Sequence, residues 1–141
     1  MILDDKNIFI LKKLKKKTIV MCHGVFDVLH YGHITHFEEA KKNGDILIVS
    51  VTDNQFVNKG PNRPLFDSTI RAKSILALQT VDFVIVSKAY DCVEILKKIK
   101  PNFFAKDIEY SDKKHNSNKT FEKEKKFLEK IKIWWNKSSI Y

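Results

Sequence analysis

The sequence predicts an α/β domain: a doubly wound parallel sheet of four to five strands with helices on both faces. Short β-branched, nearly continuous apolar runs alternate with segments of helical apolar spacing, and that alternation is the pattern of βαβ units. The run Ile46-Leu47-Ile48-Val49-Ser50-Val51-Thr52 is too apolar for a strand with one wet face, as befits a central parallel strand covered on both sides. The length of 141 residues, with 43% hydrophobic and 30% charged residues, suits one domain with a core of its own. The expected organisation is a single domain over 1–141, with its core at 18–112 and a charged helix and atypical tail over 113–141.

Taken in order, Ile8, Leu11 and Leu14 stand at helical spacing beside a lysine run ending at Lys17. They predict a short amphipathic helix followed by a solvated basic stretch. A strand at 18–23 holds Ile19-Val20-Met21-Cys22, and a turn follows at Gly24. The first full helix is expected over 30–42, with Ile34, Phe37 and Ala40 or Lys41 inward and Gly44 as its stop. After the strand at 45–52 comes a polar loop, 53–66, with Lys59-Gly60-Pro61-Asn62-Arg63-Pro64. Asp67 or Ser68 can cap a helix running to Gln79, with Ile70, Ala77 and Leu78 inward. A strand at 81–86 precedes the stripe Cys92, Ile95, Leu96, Ile99, whose i, i+3, i+4, i+7 spacing is that of a helix closed by Pro101. A short strand at 102–106, a polar segment at 111–119 and a charged helix at 120–132 complete the chain.

Composition narrows the function classes. No apolar run reaches the ~18 residues of a membrane span. The opening Met1-Ile2-Leu3-Asp4-Asp5 puts acid before base, the wrong order for a secretory leader. Cys22 and Cys92 form neither a disulfide framework nor a C-x-x-C pair, so a cytoplasmic protein is expected. The net charge of +9 favours anionic ligands without selecting nucleic acid over nucleotides. Nucleic acid is disfavoured as a partner because no RNP-like motif is present. The dinucleotide and P-loop glycine signatures are absent as well. Of 26 basic residues only Arg63 and Arg71 are arginine, and both lie in one segment, where a planar, bidentate phosphate binder has a use.

Four of the five histidines, His23, His30, His33 and His36, fall inside the unit of first strand, turn and first full helix. His30 and His33, three apart, project from one face of the helix's first turn. There the free N–H groups and the dipole favour an anion. Gly32 between them leaves room for a bulky ligand to approach the backbone. A zinc site on His30, His33 and His36 with Cys22 or His23 is disfavoured, because i, i+6 spacing turns His36 away from His30. His36 reads as a helix-surface residue, and Phe26 as core packing. His23 reads equally as a pocket wall or a strand end. Asp27 reads as a turn or capping carboxylate, while Asp53 has two open readings, nucleotide contact and loop cap.

The string Gly24-x-Phe26-Asp27-x-x-His30-x-Gly32-His33 resembles the G-x-F-D-x-x-H-x-G-H signature of the cytidylyltransferase-like nucleotidyltransferases, which are Rossmann-like in fold. Lys59-Gly60-Pro61-x-Arg63-Pro64, then Arg71, Val81-Asp82 and Lys100-Pro101-x4-Lys106-x2-Glu109-Tyr110, is similar to the sugar-phosphate branch, such as the nucleotidyltransferase domain of the bifunctional heptose synthesis enzyme. The resemblance covers 18–112. It implies catalytic roles for His30, His33, Lys59 and Arg71, and a nucleotide site on Gly24, Val25, Phe26, Gly32, Arg63 and Lys106. It also implies Mg²⁺ carried in with the nucleotide, an NTP and a phosphorylated sugar or polyol as substrates, and a homodimer; the aromatic pair Trp134-Trp135, which does not match the family, is a candidate interface. Two departures stand out. Asp107 occupies the place of the branch's glycine, and the tail lacks the Ser/Thr-rich helix start of relatives. From these a shortened C-terminus and weakened activity are expected. The rival reading is a catalytically impaired nucleotide-binding or scaffold protein derived from such an enzyme.

Overall fold

The computed structural model describes residues 1–58, 60–107, 126 and 134–138. Six parallel strands form one sheet: β1 (Ile2–Leu3), β2 (Ile19–Gly24), β3 (Ile46–Thr52), β4 (Phe83–Ser87), β5 (Phe103–Asp107) and β6 (Trp134–Ser138). Their order is β1-β4-β3-β2-β5-β6. The α/β class stands as expected, with more strands than the four to five anticipated. The additions are β1, two residues paired with β4, and β6, paired with β5. Trp134 and Trp135 are strand residues in register with Phe103 and Phe104.

The helices are α1 (Tyr31–Lys41), α2 (Ser68–Leu76) and α3 (Val93–Ile99), with 3₁₀ turns at Ile8–Leu14 and Asn54–Phe56. Strand alternation divides the core. Met21, Ile46, Ile48, Ile85 and Phe104 face the Ile8–Leu14 turn and α3, packing on Leu11, Ile95, Leu96 and Ile99. Val20, Cys22, Leu47, Val49, Val84 and Ala105 face α1 and α2, packing on Phe37, Ala40, Ala72 and Ile75. The stripe of α3 is buried as its spacing predicts, Cys92 included.

Three expectations need correction. The segment 8–14 is a 3₁₀ helix, with Ile8, Leu11 and Leu14 packed on the core and Phe9 exposed. Helix α2 ends at Leu76 and buries Ser68, Arg71, Ala72 and Ile75, whereas Ile70 is 52% exposed and Ala77 is exposed too. An arginine has taken the inward face because its donors find partners there. His36 is buried, at 1% exposure, beside Phe37, so that the buried residues of α1 are Gly32, His33, His36, Phe37 and Ala40. The helix expected over 120–132 falls outside the described residues except at Lys126, which is helical.

From β2 the chain moves outward through β3 to β4 on one side, then crosses to β5 on the other. The strand order therefore reverses between β2 and β5. A crevice outside the carboxyl ends of strands at such a reversal is where open α/β sheets bind ligands. Here its edges are His23-Gly24 and Lys106-Asp107.

Candidate active site

The turn leaving β2 is built around Phe26. Its backbone is left-handed, at φ 50°, a costly conformation for a bulky residue and one that must be over-determined by its surroundings. The ring is 7% exposed and lies edge-on to Phe37 at 5.1 Å and to His33 at 5.3 Å. Gly24 makes room for it: a Cβ there would sit 2.8 Å from Phe26 Cζ. The G-x-F spacing is thus a packing requirement, and its product is a fixed seat for His33.

His30 caps α1. Its Nδ1 accepts the Gly32 N–H at 3.0 Å, while the His30 N–H donates to His33 Nδ1 at 3.3 Å, closing a capping box from two imidazoles. The rings stack with centroids 3.8 Å apart. A ring nitrogen that accepts an amide hydrogen carries no proton, so each neutral ring bears its hydrogen on Nε2. Backbone amides therefore set the tautomer in which both histidines are Nε2–H donors, beside a helix N-terminus. His33 is buried and His30 exposed.

Asp27 is a hub rather than a local cap. Its carboxylate accepts the Leu65 N–H at 2.9 Å, the Phe66 N–H at 3.1 Å and Arg63 Nη1 at 3.1 Å. Burial pushes its pKa up, but the two amides and the guanidinium outweigh that and hold the carboxyl below its ordinary value. Arg63, half exposed, is thereby brought to the turn. Lys59 lies outside the described residues. Lys106 is a β5 residue one position past Ala105, which pairs with Cys22.

Arg71 is 2% exposed, and its guanidinium is turned onto the protein. Nε donates to Phe66 O, Nη1 to Val25 O and Thr52 O, and Nη2 to Asn54 Oδ1, all at 2.7–2.9 Å. Burial lowers its pKa, against the opposing pull of Asp27, Asp53 and Asp67. The residue thus fastens the 24–27 turn, the end of β3 and the start of α2 to one another. Asp53 settles as a cap: it accepts the Asn54 N–H and the Ser68 hydroxyl at 2.8 Å each. His23 Nδ1 lies 3.0 Å from Ser50 Oγ at the ends of β2 and β3.

Asn54 escaped the sequence reading. It accepts from Ser68 N and Arg71, and donates to Asp67. The available signal was Asp53-Asn54 directly after a strand, a pair of residues that hydrogen-bond nearby backbone in turns. Its reach across 14 and 17 residues to Ser68 and Arg71 has no local signature.

A parallel α/β sheet with a histidine-capped helix beside its strand-order reversal defines a nucleotide-binding domain of the nucleotidyltransferase kind. The chain belongs to the cytidylyltransferase-like family, which it matches over residues 21–138. It is 39% identical over 100 residues to the bifunctional protein HldE of Campylobacter fetus, a match covering 70% of this chain and 22% of that protein. With the HldE of Helicobacter hepaticus it shares 36% over 115 residues, covering 79% and 24%. The chain thus spans about a quarter of these relatives' length. Among solved structures it resembles the lipopolysaccharide core biosynthesis protein from Thermoplasma volcanium, with TM-score 0.62, 30% identity and coverage of 77% of this chain and 89% of that one. A pantoate-beta-alanine ligase from Francisella tularensis shares the fold, with TM-score 0.63 at 17% identity.

Proposed function

We propose that this chain transfers the nucleotidyl group of an NTP to the phosphate of a sugar or polyol phosphate, releasing pyrophosphate. One observation carries the reading: two stacked imidazoles, each fixed as an Nε2–H donor by a backbone amide, stand at a helix N-terminus beside the sheet's reversal point. Donors held in place before the reaction stabilise charge that develops on phosphate oxygens at no cost in reorganisation. The acceptor's phosphate oxygen attacks the α-phosphorus in line. An O–Pα bond forms, the bond from Pα to the bridging oxygen breaks, and the electron pair leaves on pyrophosphate. His30 and His33 donate to the triphosphate, and Gly24, Val25, Phe26 and Gly32 shape the nucleotide's seat. Lys59, Arg63 and Lys106 hold anionic groups. Arg71 serves by fastening the elements that carry the others.

Mg²⁺ is expected to enter with the nucleotide, where it neutralises phosphate charge. Asp27 and Asp53 already accept hydrogen bonds from N–H or O–H groups, and among the described residues no cluster of His, Cys, Asp and Glu suits a metal. No helix among the described residues is long and apolar enough to cross a membrane; soluble anionic substrates favour a cytoplasmic reaction. The expected homodimer is open to analytical ultracentrifugation.

A second reading, a nucleotide-binding protein of impaired turnover, rests on Asp107 at the end of β5. Pyrophosphate release over a panel of NTPs and sugar or polyol phosphates separates the two. Release that depends on both substrates supports transfer. Nucleotide binding with no release from any pair overturns it in favour of the second reading.

A further inference from the structure

The mechanism above leaves one nearly buried charge unused. Asp27, its side chain 9% exposed, has no part in the capping box and lies three residues before His30. Its carboxylate reaches 36 to 39 residues along the chain to Arg63, Leu65 and Phe66. It accepts the N–H groups of both Leu65 and Phe66, residues that are 57% and 46% exposed and bring little packing of their own. The far end of the 60–66 loop is therefore held to the histidine turn by a carboxylate rather than by a core.

We infer that Asp27 is the positioning residue that sets the 60–66 loop against the histidine pair, and that Arg63, which the resemblance places in the nucleotide site, there holds the acceptor phosphate instead. This rests on the transferase reading above. Nucleotide contacts on α1 do not pass through Asp27, since the box that orients His30 and His33 is closed by their own backbone. The loop's cation does: Arg63 takes its place from the Asp27 carboxylate. Geometry also requires a carboxylate. It presents two oxygens to three donors, whereas an amide presents one oxygen and turns N–H hydrogens on the rest.

The test uses Asp27→Asn and Asp27→Ala in the full chain. Asparagine keeps an oxygen for the amides but loses Arg63; alanine loses all three partners. In both variants the KM for the acceptor phosphate is expected to rise about tenfold or more, with a smaller change in NTP KM and in kcat. Amide exchange at Leu65 and Phe66 should accelerate at least tenfold in Asp27→Ala, while protection at Met21 and Val49 in the sheet persists. Equal rises in both KM values, a fall confined to kcat, or wild-type exchange at Leu65 and Phe66 in Asp27→Ala would each overturn the inference. If Asp27→Ala loses sheet protection, the asparagine variant's KM pattern decides. Wild-type protein inactive on every substrate pair is a different failure: it removes the transferase reading and the acceptor role with it, and the exchange data alone then decide whether the loop is held by Asp27.

Discussion

In the proposed reaction His30 has two jobs for one ring, and they can be separated. Its Nδ1 caps α1, and its Nε2 is the group proposed to donate to the triphosphate. Asparagine caps helices well but has no group at the position of Nε2. His30→Ala is expected to lose about 1 kcal/mol of stability through the missing cap, and to lower turnover by about 10²–10³, the scale of one removed transition-state donor. His30→Asn should recover most of the stability in urea titration and none of the turnover. Recovery of turnover would show that the ring serves only as a cap. Asp27 gives a second test, by pH. Its folded pKa lies below the ordinary value, so its stabilising contribution is complete above the unfolded pKa of about 3.9 and is lost as pH falls through the lower folded value. Wild type and Asp27→Asn should differ by about 1–3 kcal/mol at neutral pH and converge in acid, as followed by chemical denaturation between pH 7 and pH 3.

At the scale of elements, the central fact is that α2 is anchored by an arginine. The Arg71 guanidinium joins α2 to the turn after β2, and to the end of β3 with Asn54 just beyond it, two pieces that arrive from distant parts of the chain. Removing it leaves buried carbonyls without donors, each at a cost of about 1–3 kcal/mol. Arg71→Met is therefore expected to lower stability by several kcal/mol, and Arg71→Lys by less, because an ammonium has fewer donors and no planar fork. Denaturant midpoints with unchanged slopes would measure this. An Arg71→Met midpoint matching wild type would mean the network is replaceable by packing alone.

For the whole molecule, the parallel sheet sets where a ligand can sit. β2 and β3 are central, each with a parallel neighbour on both sides, and end in His23, Gly24, Thr52 and the turns that follow. A nucleotide bound there stabilises the native state alone, by about 2.7 kcal/mol at a hundred times its Kd. Thermal unfolding with CTP, ATP and GTP at constant Mg²⁺ should raise the midpoint by several degrees for the preferred base, with smaller shifts for the others. The same shift in His30→Asn would place the triphosphate elsewhere.

The sequence by itself determined the layered α/β architecture and the strands at its centre, because alternating and helical apolar spacing are local properties of the chain. It also determined where the histidine turn falls, since Gly24, Phe26, His30 and His33 act within ten residues of one another. Tertiary structure decided the rest. It buried His36, which nothing in the spacing of α1 distinguishes from a surface histidine. It turned Arg71 inward and left Ile70 in water, reversing the order that hydrophobicity assigns, because four acceptors converge on the guanidinium. It made Asp27 a long-range hub rather than a turn residue. For Arg71 and Asp27 the deciding partners come from distant parts of the chain, and burial follows the partner rather than the residue type.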